Sequence, residues 1–213
     1  MKPLVCLCEQ SSNATDKYLN RKTSILLGCG LLTSSVVYVL SAFIAPAFRR
    51  ICLPYVPATT VQLNSIARLL HTAQQAEQMT SLGSVIDLGS GDGRVVNCVL
   101  IDLFRRPELR FDRGVGVELN RPLVLYSCWK AYRMGVERPK LLFICDNMWK
   151  TDLSKYRTIL VFGVDCMMKQ LEEKIKREVL PNTFVITCRY PLPKATPYRL
   201  VGNGPDSVYL YRF

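Results

Sequence analysis

The chain has 213 residues, enough for one substantial domain with an appendage, and its 49% hydrophobic and 21% charged content excludes a disordered protein. A net charge of +11 favours anionic partners. No run of five like charges and no RNA-binding motif with interleaved aromatics occurs, so a lipid surface is preferred to nucleic acid.

Residues 1–22 form a polar, basic segment, followed by a stretch from Thr23 to Phe48 that holds no charge and is flanked by Arg21-Lys22 and Arg49-Arg50. Roughly 20 helical residues cross a hydrocarbon core, so residues 23–48 are expected to be a transmembrane anchor. A cleaved secretory signal ending at Ala45-Pro46-Ala47 and a buried core helix diluted by Gly28 and Gly30 compete with it. The length of the lead segment and of the apolar run favours the anchor. Basic pairs on both flanks leave its orientation open.

Residues 49–83 read as a linker and a first helix. Pro54 and Pro57 break the chain, Thr59 or Thr60 caps the helix or contacts a cofactor loop, and Val61, Leu63, Ile66, Leu69, Leu70 and Ala73 make its apolar face. Residues 84–213 then alternate between strand and helix. Strands are expected at Ser84–Leu88, Gly114–Glu118, Lys140–Cys145, Thr158–Phe162, Phe184–Cys188 and Ser207–Tyr211. Helices are expected near Gly93–Phe104, Leu123–Met134 and Asp165–Val179. Helical crossovers imply parallel strands, and the last two, with no helix between them, pair antiparallel. The fold class is α/β, Rossmann-like, behind one hydrophobic helix.

The sharpest motif is VIDLGSGDG, Val85 to Gly93. A buried strand leads into a turn where Gly89, Gly91 and Gly93 let the backbone approach a ligand, and the next helix offers its free N–H groups. A second strand ends in GVELN and puts Glu118 at its tip, where a carboxylate can accept both ribose hydroxyls. Asp87 and Asp92 oppose a pyrophosphate and suit a ligand carrying an ammonium and a sulfonium, which argues against a dinucleotide. Nine cysteines lack any C-x-x-C pair and His71 is the single histidine, so no metal site is expected and the thiols read as reduced. His71 itself reads as a surface or capping residue.

These residues resemble the first two motifs of seven-strand methyltransferases. With CLPYVPATT, the Asn147-Met148-Trp149-Lys150 run, FGV before Met167-Met168, QLEEK, and CRYPLP at Cys188–Pro193, the likeness narrows to a family of mitochondrial protein-lysine methyltransferases. Its members methylate the ATP synthase c subunit or the ADP/ATP carrier, and the FGV, Met-Met and QLEEK stretch is more similar to the c-subunit branch. The resemblance covers about Arg49 to Phe213 and implies a seven-strand sheet and S-adenosylmethionine as cofactor. Asp87, Gly89, Ser90, Gly91, Asp92 and Gly93 would bind it, with Asp87, Gly89, Gly91 and Asp92 at the methionine end and Glu118 at the ribose. The family has Asp-Leu-Trp-Lys where this chain has Asn147-Met148-Trp149-Lys150, so either Asp146 or Asn147 meets the adenine. Arg121-Pro122 and a long LFRRPELRFDRG connection are further departures.

The resemblance also implies a mitochondrial inner-membrane enzyme whose partners are a membrane-protein substrate and the bilayer. No obligatory base is needed for methyl transfer to a desolvated lysine, and none stands out. Tyr55, Trp149 and Tyr190 are candidates for walling a lysine channel. The alternatives are a methyltransferase for a small or lipid acceptor and an inactive membrane-anchored scaffold.

Overall fold

A computed structural model describes residues 6–44, 58–90, 103–104, 106–136 and 140–213, with side chains of the first helix described from 21 to 41. The expected Gly93–Phe104 helix lies outside the described residues except for Leu103 and Phe104, as do Tyr55, Gly91, Asp92 and Gly93. The chain divides into two compact units, Met1–Arg49 and Arg50–Phe213.

The first unit is one helix, α1 (Cys6–Ile44), so helix starts well before the uncharged run. Within it Arg21–Ser41 is long and apolar enough to cross a membrane, and its described side chains are exposed. Thr33, Ser35 and Ser41 return their hydroxyls to carbonyls three or four residues back. This removes their need for water and lets polar residues sit in an apolar helix.

The second unit opens with α2 (Thr60–Ala76). Thr59 is the N-cap: its hydroxyl oxygen accepts from the Gln62 amide at 3.1 Å, while Gln62 Oε1 accepts from the Thr59 amide at 2.9 Å. This reciprocal box settles Thr59 as the cap. It also corrects the expected apolar face. Val61 is 55% exposed, whereas Gln62 is buried, because Gln62 closes the box and donates from Nε2 to the Pro205 carbonyl at 2.8 Å. Ile66, Leu69, Leu70 and Ala73 enter the core as expected.

A seven-stranded sheet follows: β1 (Ser84–Leu88), β2 (Arg113–Glu118), β3 (Leu141–Cys145), β4 (Thr158–Val161), β5 (Phe184–Cys188), β6 (Arg199–Val201) and β7 (Val208–Arg212). The order is β3-β2-β1-β4-β5-β7-β6. β1 to β5 are parallel, while β7 runs antiparallel to β5 and β6. Helix α3 (Arg121–Arg133) links β2 to β3, and α4 (Asp165–Glu178) links β4 to β5. The central strands are buried on both faces, which is why they read as continuous apolar runs. Six strands are legible in the sequence. The seventh, β6, is a three-residue edge strand with an exposed face, and it lacks the alternation that would announce it.

Two apolar clusters cover the two faces of the sheet. One gathers Leu70, Val85, Phe184 and Leu210 with α2, the other Ile86, Ile159, Leu171 and Val185 with α4. The chain reverses at β1 and β4, whose crossovers leave in opposite directions. The carboxyl ends of these neighbouring strands therefore open into a crevice, where doubly wound sheets bind ligands.

Candidate functional site

At the end of β1, Asp87 is buried, and its two carboxylate oxygens have no hydrogen-bond partner among the described residues. Burial first, and the Glu118 carboxylate second, push its pKa from 3.8 up to about 7. An orphaned buried carboxyl is costly and rarely kept without a purpose. Next to it Gly89 takes φ +79°, a left-handed conformation that penalises any Cβ. The Gly89 and Ser90 amides both donate to the Val117 carbonyl, at 3.0 and 2.9 Å, and clamp the turn onto the end of β2.

Glu118 stands at the tip of β2, half-buried, with Oε1 accepting from the Asn120 amide at 2.9 Å. The chain beyond β3 is tied to the same point, for the Asp146 amide donates to the Glu118 carbonyl at 3.1 Å. The Asp146 side chain is exposed and its Oδ1 accepts from the Asn147 amide at 2.7 Å, whereas Asn147 Oδ1 accepts from the Trp149 amide at 3.0 Å. Of the two, the Asn147 carbonyl is engaged in shaping the turn, and Asp146 keeps a second oxygen.

A separate pocket of about 190 Å³ opens beyond β4 and β5, lined by Gln62, Phe162, Gly163, Val164, Cys188, Arg189 and Tyr190. Gly163 belongs there for steric reasons: a Cβ would come within 2.9 Å of Met168 Sδ. Arg189 has φ +71°, and the Tyr190 amide donates to the Cys188 carbonyl two residues back at 2.9 Å. That pairing is a γ-turn of the strained hand. It is held by Thr187, whose hydroxyl donates to the Tyr190 carbonyl at 2.8 Å. The result sets the Arg189 guanidinium 5.5 Å from the Tyr190 ring centroid. Burial, helped by Asp87, raises the Cys188 thiol well above its ordinary range, so it is an uncharged wall.

The structure thus brings Asp87, Gly89, Ser90 and Glu118 to one stretch of the sheet edge and Tyr190 to another. Trp149, in the turn after β3, packs partly buried against the α4-side cluster and is not in the pocket lining. Phe162, Gly163, Val164 and Arg189 escaped the sequence-level site, although FGV follows directly on a buried strand and Arg189 lies inside the CRYPLP motif. His71 is half-buried on α2, 3.2 Å from the Gln75 amide nitrogen.

Residues 87–199 match the ANTKMT methyltransferase domain. The human ATP synthase c-subunit lysine N-methyltransferase is 40% identical over 177 residues, 83% of this chain and 69% of that protein. The chain belongs to the ANTKMT methyltransferase family. It is an S-adenosylmethionine-dependent protein-lysine N-methyltransferase. The Caenorhabditis elegans ATP synthase c-subunit lysine N-methyltransferase is 40% identical over 173 residues, 80% of this chain and 85% of that one. The mouse adenine nucleotide translocase lysine N-methyltransferase is 31% identical over 192 residues, 86% and 74% of the respective chains. Among solved structures, an RNA methyltransferase from Salinibacter ruber in complex with S-adenosyl-L-homocysteine superposes with a TM-score of 0.60 at 23% identity, covering 74% of this chain and 93% of that one. This last likeness concerns the fold.

The residues present fit the cofactor. The buried Asp87 carboxylate has no hydrogen-bond partner among the described residues, so it suits a cationic group such as the cofactor's ammonium, and Gly89 sets no side chain beside it. When bound, S-adenosylmethionine supplies an electrophilic methyl on a sulfonium. The protein's task is to orient and desolvate the reacting partners.

Proposed function

We propose that this enzyme methylates a lysine of the ATP synthase c subunit in the mitochondrial inner membrane, held there by α1. The observation that carries the reading is the identity of about 40% to proteins named for that acceptor, against 31% to the translocase enzyme. An enzyme tethered through α1 reaches lysines near a bilayer surface, which suits a membrane-embedded acceptor.

Within this reading Asp87 pairs with the cofactor ammonium, Glu118 with the ribose, and Asp146 or Asn147 with the adenine edge. Gly91, Asp92 and Gly93 of the same motif are the further cofactor-binding candidates. The acceptor lysine enters the pocket beyond β4 and β5. There the Tyr190 face attracts the amine, and the adjacent Arg189 charge disfavours its protonated form, whose ordinary pKa is about 10.4. Once a proton has left to water, the Nζ lone pair forms the new C–N bond. The bound cofactor would supply the methyl carbon and would keep the electron pair of its S–C bond on sulfur, so the step balances as a methylammonium and a neutral thioether.

The test is incubation of the full-length enzyme with labelled cofactor and mitochondrial membranes from cells lacking it. A labelled c subunit, lost in the Asp87→Ala variant, is expected. Label confined to the lipid extract, or to the ADP/ATP carrier, would overturn the acceptor assignment.

A further inference from the structure

Helix α3 packs on the sheet through Val124, Ser127 and Ala131. With 3.6 residues per turn, Leu125, Trp129 and Tyr132 fall within about 60° of one another on the outward side of the helix, with Arg121 at one edge of that arc and Arg133 and Tyr126 at the other. They point away from the sheet: Tyr132 is 81% exposed, Leu125 70%, Trp129 54% and Tyr126 42%. An outward helix face is ordinarily polar, and here its centre is aromatic and aliphatic. The aromatics form a group, with Tyr126 and Trp129 centroids 5.8 Å apart and the Arg133 guanidinium 5.6 Å from the Trp129 ring. Leu119 before the helix and Met134 after it are exposed as well.

Charge decides among the occupants. From Leu119 to Val136 the chain has Arg121, Lys130 and Arg133 and not one acidic residue, within a protein of net charge +11. An apolar centre of Trp, Tyr and Leu with a basic rim matches the boundary between anionic headgroups and acyl chains. Thirteen residues are too few to span a bilayer, so the helix would lie along its surface. We propose that the outward face of α3 is a lipid-docking surface, with Leu125, Trp129 and Tyr132 entering the headgroup boundary and Arg121 and Arg133 engaging anionic lipids. It is a contact additional to α1 and needs no particular acceptor.

Trp129 is its own probe, because Trp149 is the only other tryptophan in the chain. The full-length Trp149→Phe protein is reconstituted in phosphatidylcholine vesicles with brominated acyl chains, with and without phosphatidylglycerol. In the anionic vesicles Trp129 emission shifts to shorter wavelength and loses roughly half its intensity to the bromines. A Leu125→Ser/Tyr132→Ser pair abolishes most of the quenching, and an Arg121→Gln/Arg133→Gln pair removes its dependence on lipid charge. Both pairs face away from the sheet and leave the far-UV spectrum unchanged. Water-like, unquenched emission in both vesicles would refute the surface, as would protection that arises only on adding an acceptor protein. Equal quenching in both would refute the role of the two arginines. Flotation reads α1 separately, so a chain that floats with unquenched Trp129 loses this surface and keeps its anchor.

Discussion

The two halves of the site stand on the same sheet edge and are built in opposite ways. At β1 the Asp87 carboxylate is buried with no hydrogen-bond partner among the described residues, and burial together with the Glu118 charge raises its pKa to about 7. At β5 the polar groups shaping the pocket are satisfied from within. Thr187 holds the Tyr190 carbonyl, Tyr211 Oη accepts from the Leu192 amide at 2.8 Å, and Glu172 Oε2 accepts from the Lys194 amide at 2.8 Å. The proposed assignment accounts for the difference: a small cofactor would bring its own cation to the first region, whereas a protein acceptor would need a pocket whose shape is already set.

The comparison breaks most visibly at Asp87. Its replacement by Ala is expected to weaken S-adenosylhomocysteine binding on the order of a hundredfold or more by calorimetry, since the cofactor ammonium then lacks its buried counter-charge. Glu118→Ala should act in the same direction. Unchanged affinity in both would show that the orphaned carboxylate serves another purpose.

Next in size is a pH effect. Asp87 is neutral below a pKa of about 7, and on the proposed assignment it is the carboxylate that pairs with the cofactor ammonium. Affinity should therefore drop about tenfold for each pH unit below 7, and the Asp87→Asn variant should show no such slope. Stability moves the other way. The raised pKa favours the folded, ligand-free chain at low pH, and that contribution is lost as pH rises from 3.8 through 7. Thermal melting at pH 8 should accordingly find Asp87→Asn more stable than the parent, with the gap closing at pH 5.

Substitutions in the acceptor pocket should leave cofactor affinity alone. Tyr190→Ala is expected to lower kcat/KM for the acceptor about tenfold, the scale of a desolvated cation–aromatic contact. Arg189→Gly relieves the left-handed residue, so it should raise the melting temperature slightly while turnover falls. Loss of cofactor binding in either variant would erase the distinction between the two regions. The smallest effect is expected at Glu172, which also pairs with Lys176. Glu172→Gln should reduce stability by about 0.5–1 kcal/mol in denaturant titration and speed amide exchange at Lys194.

The strand end, turn and carboxylates of the proposed cofactor half were legible because they are local. VIDLGSGDG places strand, turn and carboxylate within nine consecutive residues, and Glu118 follows at the next strand end. Of the proposed acceptor pocket only Tyr190 was legible, because the pocket is assembled from α2 and the segments after β4 and β5, and its Arg189 takes a conformation no propensity assigns. QLEEK was visible as a motif, yet its Glu172 is buried to hold the loop at Lys194, far along the chain. Val61 departs from expectation for a similar reason. A capping box and a bond to Pro205 hold Gln62 inside the helix's buried face.

From the amino-acid order alone come the uncharged run inside α1, the strand and helix alternation and the antiparallel close of the sheet. Each of these is written in short-range periodicity or in neighbouring residues. Which carboxylate is buried with no partner among the described residues, how the Cys188–Tyr190 turn is strained, and that α3 shows tryptophan and tyrosine to the outside were decided only by packing. Burial and pairing depend on groups that meet across the fold, and no stretch of sequence contains its own neighbours.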